Sequence, residues 1–229
     1  MWQALDTIVQ ALFPSSCAAC GEVLMRGERQ LCLHCISNLS RTLFDSMDEN
    51  PVERLLVGRI PVEHAIAPYL FSKGNTVQQI VHSMKFRGND ELCLLMGRQL
   101  GLTLLRSTHF DGVDLLVPVP LHWWRRLCRG YNQSESLCRG IAEVFPRPIS
   151  THNLVRHHAT AQQSLQHADA RSNNVEGAFS VRHPERFEGK HLLLVDDVLT
   201  TGATLTACYN ALRPIDGLRI SVATLCTVL

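Results

Sequence analysis

Four apolar residues in a row, Leu192-Leu193-Leu194-Val195, run directly into Asp196-Asp197 and then Val198-Leu199. An unbroken run of that length fits a strand covered on both faces, as in the parallel sheets of α/β proteins. Residues 114–119 repeat the pattern, with Leu115-Leu116-Val117 as the apolar run and Pro118 and Pro120 fixing its exit. Residues 65–71 and 220–225 predict two further strands. Between them the period changes to that of a helix. Val77, Ile80, Val81 and Met84 fall at i, i+3, i+4 and i+7, which puts them on one buried face and ends the helix at Lys85-Phe86-Arg87 before Gly88. A second helix starts near Asp90 and ends within residues 98–105. Leu137, Cys138, Ile141, Ala142 and Phe145 mark a third, and Leu205, Cys208, Ala211 and Leu212 a fourth, closed by Pro214 and Gly217. This order predicts a doubly wound α/β domain whose ligand groups gather at strand ends.

Upstream, Trp2, Leu5, Ile8, Val9 and Leu12 recur at helical spacing, while the polar side carries Gln3, Asp6, Thr7 and Gln10 with no lysine or arginine. That predicts a helix docked on the body, ended at Pro14, with no attraction to anionic lipid. Residues 45–51 are polar and acidic and form a connector. The chain is therefore divided into residues 1–50, an N-terminal helix and cysteine subdomain, and residues 51–229, the α/β domain.

The cysteines add a second kind of chemistry. Cys17 and Cys20, then Cys32 and Cys35 after eleven intervening residues, give two C-x2-C knuckles. Such a pair of tight turns presents four thiolates to one tetrahedral Zn²⁺. With four protein ligands the ion has no open position, so the site is structural and orders a segment with little core of its own. A redox pair or plain buried thiols are the alternatives; a redox C-x-x-C would need an adjoining thioredoxin-like strand and helix. Cys93, Cys128, Cys138, Cys208 and Cys226 sit in apolar or helical stretches, where core packing accounts for most of them.

At the exit of the Leu192–Val195 run, the adjacent carboxylates of Asp196 and Asp197 are suited to accept hydrogen bonds from two sugar hydroxyls. Thr200, Thr201, Gly202, Ala203 and Thr204 then offer backbone N–H groups and hydroxyls to a phosphate at a helix start. A second cluster follows the strand at 114–119. Arg125, Arg126 and Arg129, with Gly130, Asn132 and Gln133, form a basic loop before a helix, able to grip a pyrophosphate. A solvated basic turn explains those arginines equally well when they are taken alone.

The segment Val195-Asp196-Asp197-Val198-Leu199-Thr200-Thr201-Gly202-Ala203-Thr204 resembles the phosphoribosyl-pyrophosphate (PRPP) motif of type I phosphoribosyltransferases. More narrowly, the chain resembles the ComF family, which includes GntX-type proteins. The likeness rests on the cysteine knuckles, Pro118-Val119-Pro120, Arg129-Gly130-Tyr131-Asn132-Gln133, Met84-Lys85-Phe86-Arg87-Gly88, Thr160 with Gln163, Arg171 with Asn174, Gly177-Ala178-Phe179 and the PRPP motif. It implies a type I phosphoribosyltransferase-like parallel sheet flanked by helices, with a small zinc-knuckle subdomain. It implies that Asp196 and Asp197 hold the ribose hydroxyls, that Thr200 to Thr204 hold the 5′-phosphate, and that Arg126, Arg129, Gly130, Asn132 and Gln133 complete the PRPP site. Arg129 and Lys85 would stabilise the leaving pyrophosphate, together with Mg²⁺. The polar stretch 152–175 resembles the mobile loop of these enzymes, an ordinary surface hairpin being the alternative.

Composition limits the partners. A net charge of +1 over 229 residues gives no broad attraction to nucleic acid or membrane. No run is long enough to span a bilayer, and the start lacks the basic region and cleavage site of an export signal, so a cytoplasmic protein is expected. Two functions stay open. One is a phosphoribosyltransferase that moves ribose 5-phosphate to an acceptor the sequence does not name. The other is a non-catalytic PRPP sensor or scaffold working with DNA-uptake proteins, as the family's link to competence implies. Direct DNA contact by Trp123, Trp124, Arg125 and Arg126 is a further alternative.

Overall fold

The computed structural model describes residues 15–45, 47–86, 88–157 and 177–229. The expected N-terminal helix and most of the 152–175 stretch, with Thr160, Gln163, Arg171 and Asn174, lie outside the described residues.

The centre of the molecule is a parallel sheet. Strand β6 (His191–Leu199) lies between β7 (Arg219–Thr227) and β3 (Leu115–Pro118), with Leu194 opposite Val222 on one side and Val117 on the other. Two short strands, β1 (Ala65–Ile66) and β2 (Tyr69–Leu70), pair in parallel with the far edge of β7. One continuous strand was expected over 65–71, and Pro68 explains the break: it has no N–H for the ladder. The interruption is covered by residues 40–42, where Thr42 donates its N–H to the Pro68 carbonyl at 3.0 Å and its hydroxyl to the Ala67 carbonyl at 2.7 Å.

Successive residues of a strand face opposite sides, and β6 uses both. Leu193 and Val195 pack under α3 (Thr76–Phe86), α4 (Asp90–Arg106) and α6 (Gln133–Ala142). Leu192 and Leu194 pack on the other face with α2 (Pro51–Leu56) and α7 (Ala203–Leu212). Helices cover both faces, so the doubly wound α/β class expected from the apolar runs is the class observed. The closest packing is between α4 and α6. A methyl group on Gly97 would overlap the Leu137 carbonyl, and one on Gly140 the Leu94 carbonyl.

Two other features matter for the site, the first of them a departure from expectation. The basic segment expected as a loop is a helix, α5 (Trp123–Arg129), started by His122, whose Nδ1 accepts from the Trp124 N–H, and stopped by left-handed Gly130. Residues 123–129 contain neither glycine nor proline, so nothing in them breaks a helix. Ahead of the undescribed stretch, β4 (Leu154–Arg156) pairs antiparallel with β5 (Phe179–Val181), and this hairpin lies against α7.

The cysteine region, including α1 (Leu33–Ser37), docks directly on the body. Cys17, Leu31, Cys32, Cys35 and Leu39 belong to the same buried cluster as α3 and α4. Gln30 fastens it from the polar side: its amide donates to Glu91 at 2.7 Å and accepts from Asn89 at 2.6 Å, both at the start of α4.

Candidate functional site

A cavity of about 500 Å³ opens at the carboxyl end of the sheet. The chain reverses from β6 into α7 there, through Thr200, Thr201 and Gly202. Gly202 stands in the left-handed region at φ 76° as the N-cap residue of α7, and a Cβ there would sit 3.0 Å from Leu56 Cδ2. Thr200 and Thr204 line the cavity beside Asp196 and Asp197.

The two carboxylates are held differently. Asp196 Oδ1 accepts from the Ser134 hydroxyl at 3.0 Å and from the Asp197 N–H at 2.9 Å. Asp197 Oδ2 pairs with Lys85 Nζ at 3.0 Å. Burial first, and then the neighbouring Asp197 charge, push the Asp196 carboxyl up to about 7. The strand thus presents one carboxylate tied to a cation and a second poised near neutrality.

The opposite wall is basic and aromatic. Arg125 and Arg129 of α5 face the cavity, with Phe71, Gln78, Val81, His82, Phe86 and Leu121. Arg129 donates to Gln133 Oε1 at 3.0 Å, and its guanidinium lies 5.7 Å from the centre of the Phe86 ring. Asn132 caps α6 by accepting from the Ser134 N–H at 3.2 Å, and its amide donates to the Val119 carbonyl at 3.1 Å. Gln133 donates to the Met84 carbonyl at 3.3 Å, which also accepts from the Tyr131 hydroxyl. Asn132 and Gln133 therefore have protein partners for the groups named here while also lining the cavity, and Tyr131 and Gln133 fix α6 to the end of α3, where Lys85 sits.

Of the residues expected at the site from sequence, the cavity brings together Asp196, Asp197, Thr200, Thr204, Lys85, Arg129, Asn132 and Gln133. Thr201, Gly202 and Ala203 shape the loop behind it. Arg126 turns away to Glu135 at 3.6 Å, and Gly130 closes α5. Sequence reading missed Ser134 and Arg156. Arg156, at the end of β4, is half-buried in the cavity wall, its guanidinium 5.3 Å from the Phe179 ring centre. Burial first, then the Arg125 charge, hold it below the usual arginine range, and among the described residues no carboxylate lies within ion-pair distance of it. No local pattern marks it, because only the β4–β5 hairpin carries it to the site. Gln78 and His82 were missed as well, although with Lys85 they fall at i, i+4 and i+7 on α3, a stripe beside the apolar one.

A separate cluster comprises Cys17, Cys20, Cys32 and Cys35, whose sulfurs all lie within 4.8 Å of one another. Zinc–sulfur bonds of about 2.3 Å in a tetrahedron place sulfurs roughly 3.8 Å apart, and Cys20 and Cys32 are at 3.7 Å. Backbone N–H groups of Cys32 and Cys35 point at the sulfurs of Cys17 and Cys32, at 3.3 and 3.4 Å. Burial opposes ionisation of Cys17, but the N–H groups of Cys20, Cys32 and Ala19 outweigh it and lower its thiol to about 6. The donor set fits Zn²⁺. Of the other thiols, Cys93, Cys138, Cys208 and Cys226 are buried and Cys128 is exposed.

Residues 136–229 match the family model of the phosphoribosyl transferase domain. The chain is similar to DNA utilization protein YhgH of Escherichia coli K12, with 31% identity over 153 residues, 66% of each chain. It is similar to competence protein F of Haemophilus influenzae, with 34% identity over 140 residues, 58% of this chain and 60% of that one. Among solved structures, a hypoxanthine phosphoribosyltransferase from Staphylococcus aureus aligns with 16% identity and a TM-score of 0.37, over 59% of this chain and 62% of that one. No helix among the described residues is long and apolar enough to cross a membrane.

Proposed function

Since the chain belongs to the ComF family of phosphoribosyltransferase-domain proteins, we propose that its cavity binds PRPP and transfers the ribose 5-phosphate to an acceptor. The observation that carries this reading is the meeting, in one cavity, of Asp196 and Asp197, Thr200 and Thr204 of the turn, and four cationic side chains, Lys85, Arg125, Arg129 and Arg156. The carboxylates accept from the ribose hydroxyls, the turn holds the 5′-phosphate at the start of α7, and the cations draw charge from the departing pyrophosphate. Mg²⁺, if bound with PRPP beside the carboxylates of Asp196 and Asp197, would supply charge neutralisation for the pyrophosphate. The reaction breaks the bond from the ribose C1 to the pyrophosphate oxygen, and its transition state is cationic at the sugar. Such chemistry needs positioning and electrostatics rather than a protein nucleophile. We place the protein in the cytoplasm, in the company of DNA-handling proteins, with the cysteine region of residues 1–50 as a zinc-held unit.

Calorimetry with PRPP, with and without Mg²⁺, tests the reading on zinc-loaded protein. Magnesium-dependent binding lost in Asp196→Asn/Asp197→Asn is the expected result. No binding by folded wild type would sink it.

One observation favours a second reading, a PRPP-fold protein acting on DNA without turnover. Helix α5 buries none of its residues and exposes Trp123, Trp124 and Leu127 beside Arg125 and Arg126. Aromatic faces among arginines suit stacking on single-stranded bases. The alternative expects salt-dependent binding of a labelled oligothymidylate that Trp124→Ala/Arg125→Ala abolishes.

A further inference from the structure

The phosphate turn has a support that no sequence motif marks. Helix α2 stands behind it, on the side of Leu56 and Arg59. The Leu56 side chain lies against Gly202, its Cδ2 3.0 Å from where a Cβ would stand, and the Arg59 guanidinium donates to the Thr201 carbonyl oxygen. These residues are about 140 positions apart in the chain, so the contact is tertiary.

Helix α2 is itself anchored. Asn50 and Glu53 form a capping box at its start. The Asn50 amide also donates to the Ala65 carbonyl at 2.9 Å, and the Ala65 N–H donates to Glu53 Oε1 at 3.0 Å. Both links run to β1, at the edge of the sheet. Val52 and Leu56 are fully buried in the core beneath. Arg59 therefore reaches the turn from a rigid base, although its own side chain is exposed.

We infer that Arg59 is a positioning residue for the 5′-phosphate, acting through the Thr201–Gly202 peptide. In a trans peptide the carbonyl and the following N–H point in opposite directions, and the chain has no cis peptide among the described residues. Anchoring the Thr201 carbonyl on Arg59 aims the Gly202 N–H away from Arg59, toward the phosphate. Without that anchor the peptide is free to turn over at a glycine, which tolerates either orientation, and the N–H donor is lost. The inference rests on the PRPP reading of the cavity. Arg59 does not line the cavity, so its effect is confined to ligands that use the turn.

The test uses full-length, zinc-loaded protein and two probes measured by calorimetry with Mg²⁺: ribose 5-phosphate, which needs the turn, and inorganic pyrophosphate, which needs Lys85, Arg129 and Arg156. Arg59→Met keeps the aliphatic stem and removes the donor; Arg59→Lys restores one donor. Arg59→Met is expected to weaken ribose 5-phosphate by about tenfold, to leave pyrophosphate unchanged, and to melt at the wild-type temperature, with Arg59→Lys recovering part of the loss. Equal weakening of both probes, or wild-type affinity for ribose 5-phosphate in Arg59→Met, overturns the positioning role while leaving the PRPP reading intact. Wild type that binds neither probe overturns both.

Discussion

Asp196 illustrates at one residue how binding chemistry is set against stability. Its carboxyl titrates near 7 in the folded protein against an ordinary 3.8. Between those values the folded protein keeps a proton that the unfolded chain has released. The resulting stability is fully present below the ordinary value and is lost as pH rises through about 7. Above that pH the charged, desolvated carboxylate costs a few kcal/mol, on the order of 1.4 kcal/mol for each pH unit of displacement. Asp196→Asn removes the charge and keeps an acceptor oxygen for Ser134. It is expected to melt about 10 °C higher than wild type at pH 8, to lose that advantage progressively as pH falls toward about 4, and to lose PRPP binding. Thermal melts across that pH range check the sign: a variant less stable than wild type at pH 8 would refute it. The carboxylate pair and the Thr-Thr-Gly turn were legible because strand, carboxylates and turn are contiguous in sequence. Ser134 and Arg156 were not, since their place at the cavity depends on where α6 lies and on the β4–β5 hairpin packing against α7.

At the scale of elements, helical and strand periodicity identified the main pieces and missed where local chemistry overrides it. Pro68 divides the 65–71 strand, and the arginine segment becomes α5 because Gly130 stops a helix that nothing before it breaks. The α4–α6 contact is a similar case. Gly97 and Gly140 fall in otherwise good helical sequence, where glycine costs about 1 kcal/mol relative to alanine. They are explained only by the backbones meeting, Gly140 against the Leu94 carbonyl and Gly97 against the Leu137 carbonyl. Helix propensity alone predicts that Gly140→Ala stabilises. The packing predicts the reverse, a loss of about 2–3 kcal/mol because a carbonyl on a neighbouring helix cannot step aside as a flexible side chain would. Urea unfolding decides between them. Because α6 carries Ser134 at its start, a shifted helix also moves the partner of Asp196, so PRPP affinity should fall with stability in this variant.

Over the whole molecule, the strand order β1-β7-β6-β3 could not be read from the chain, because each strand reads alike until its neighbours are known. The same is true of how the knuckles meet the body. The spacing of Cys17, Cys20, Cys32 and Cys35 predicted a zinc site, but not that its thiols would share a hydrophobic cluster with α3 and α4. That placement changes what metal removal does. An independent finger would unfold without affecting the α/β domain, whereas here Leu31, Cys32 and Cys35 share one buried core with Val77, Val81 and Leu92, and Gln30 caps the polar edge at Glu91 and Asn89. Structural zinc contributes roughly 10–16 kcal/mol in small fingers, far more than the few contacts that remain when it leaves. The purified protein is expected to carry one zinc per chain by elemental analysis. A strong chelator should lower the melting temperature of the entire domain by about 5–10 °C and expose α3, seen as faster amide exchange at residues 77–84. Exchange confined to residues 17–39, with an unchanged melt, would instead show a knuckle that folds and fails on its own. Since α3 also carries Lys85, the partner of Asp197, the same loss of metal should weaken PRPP binding although no cysteine lines the cavity.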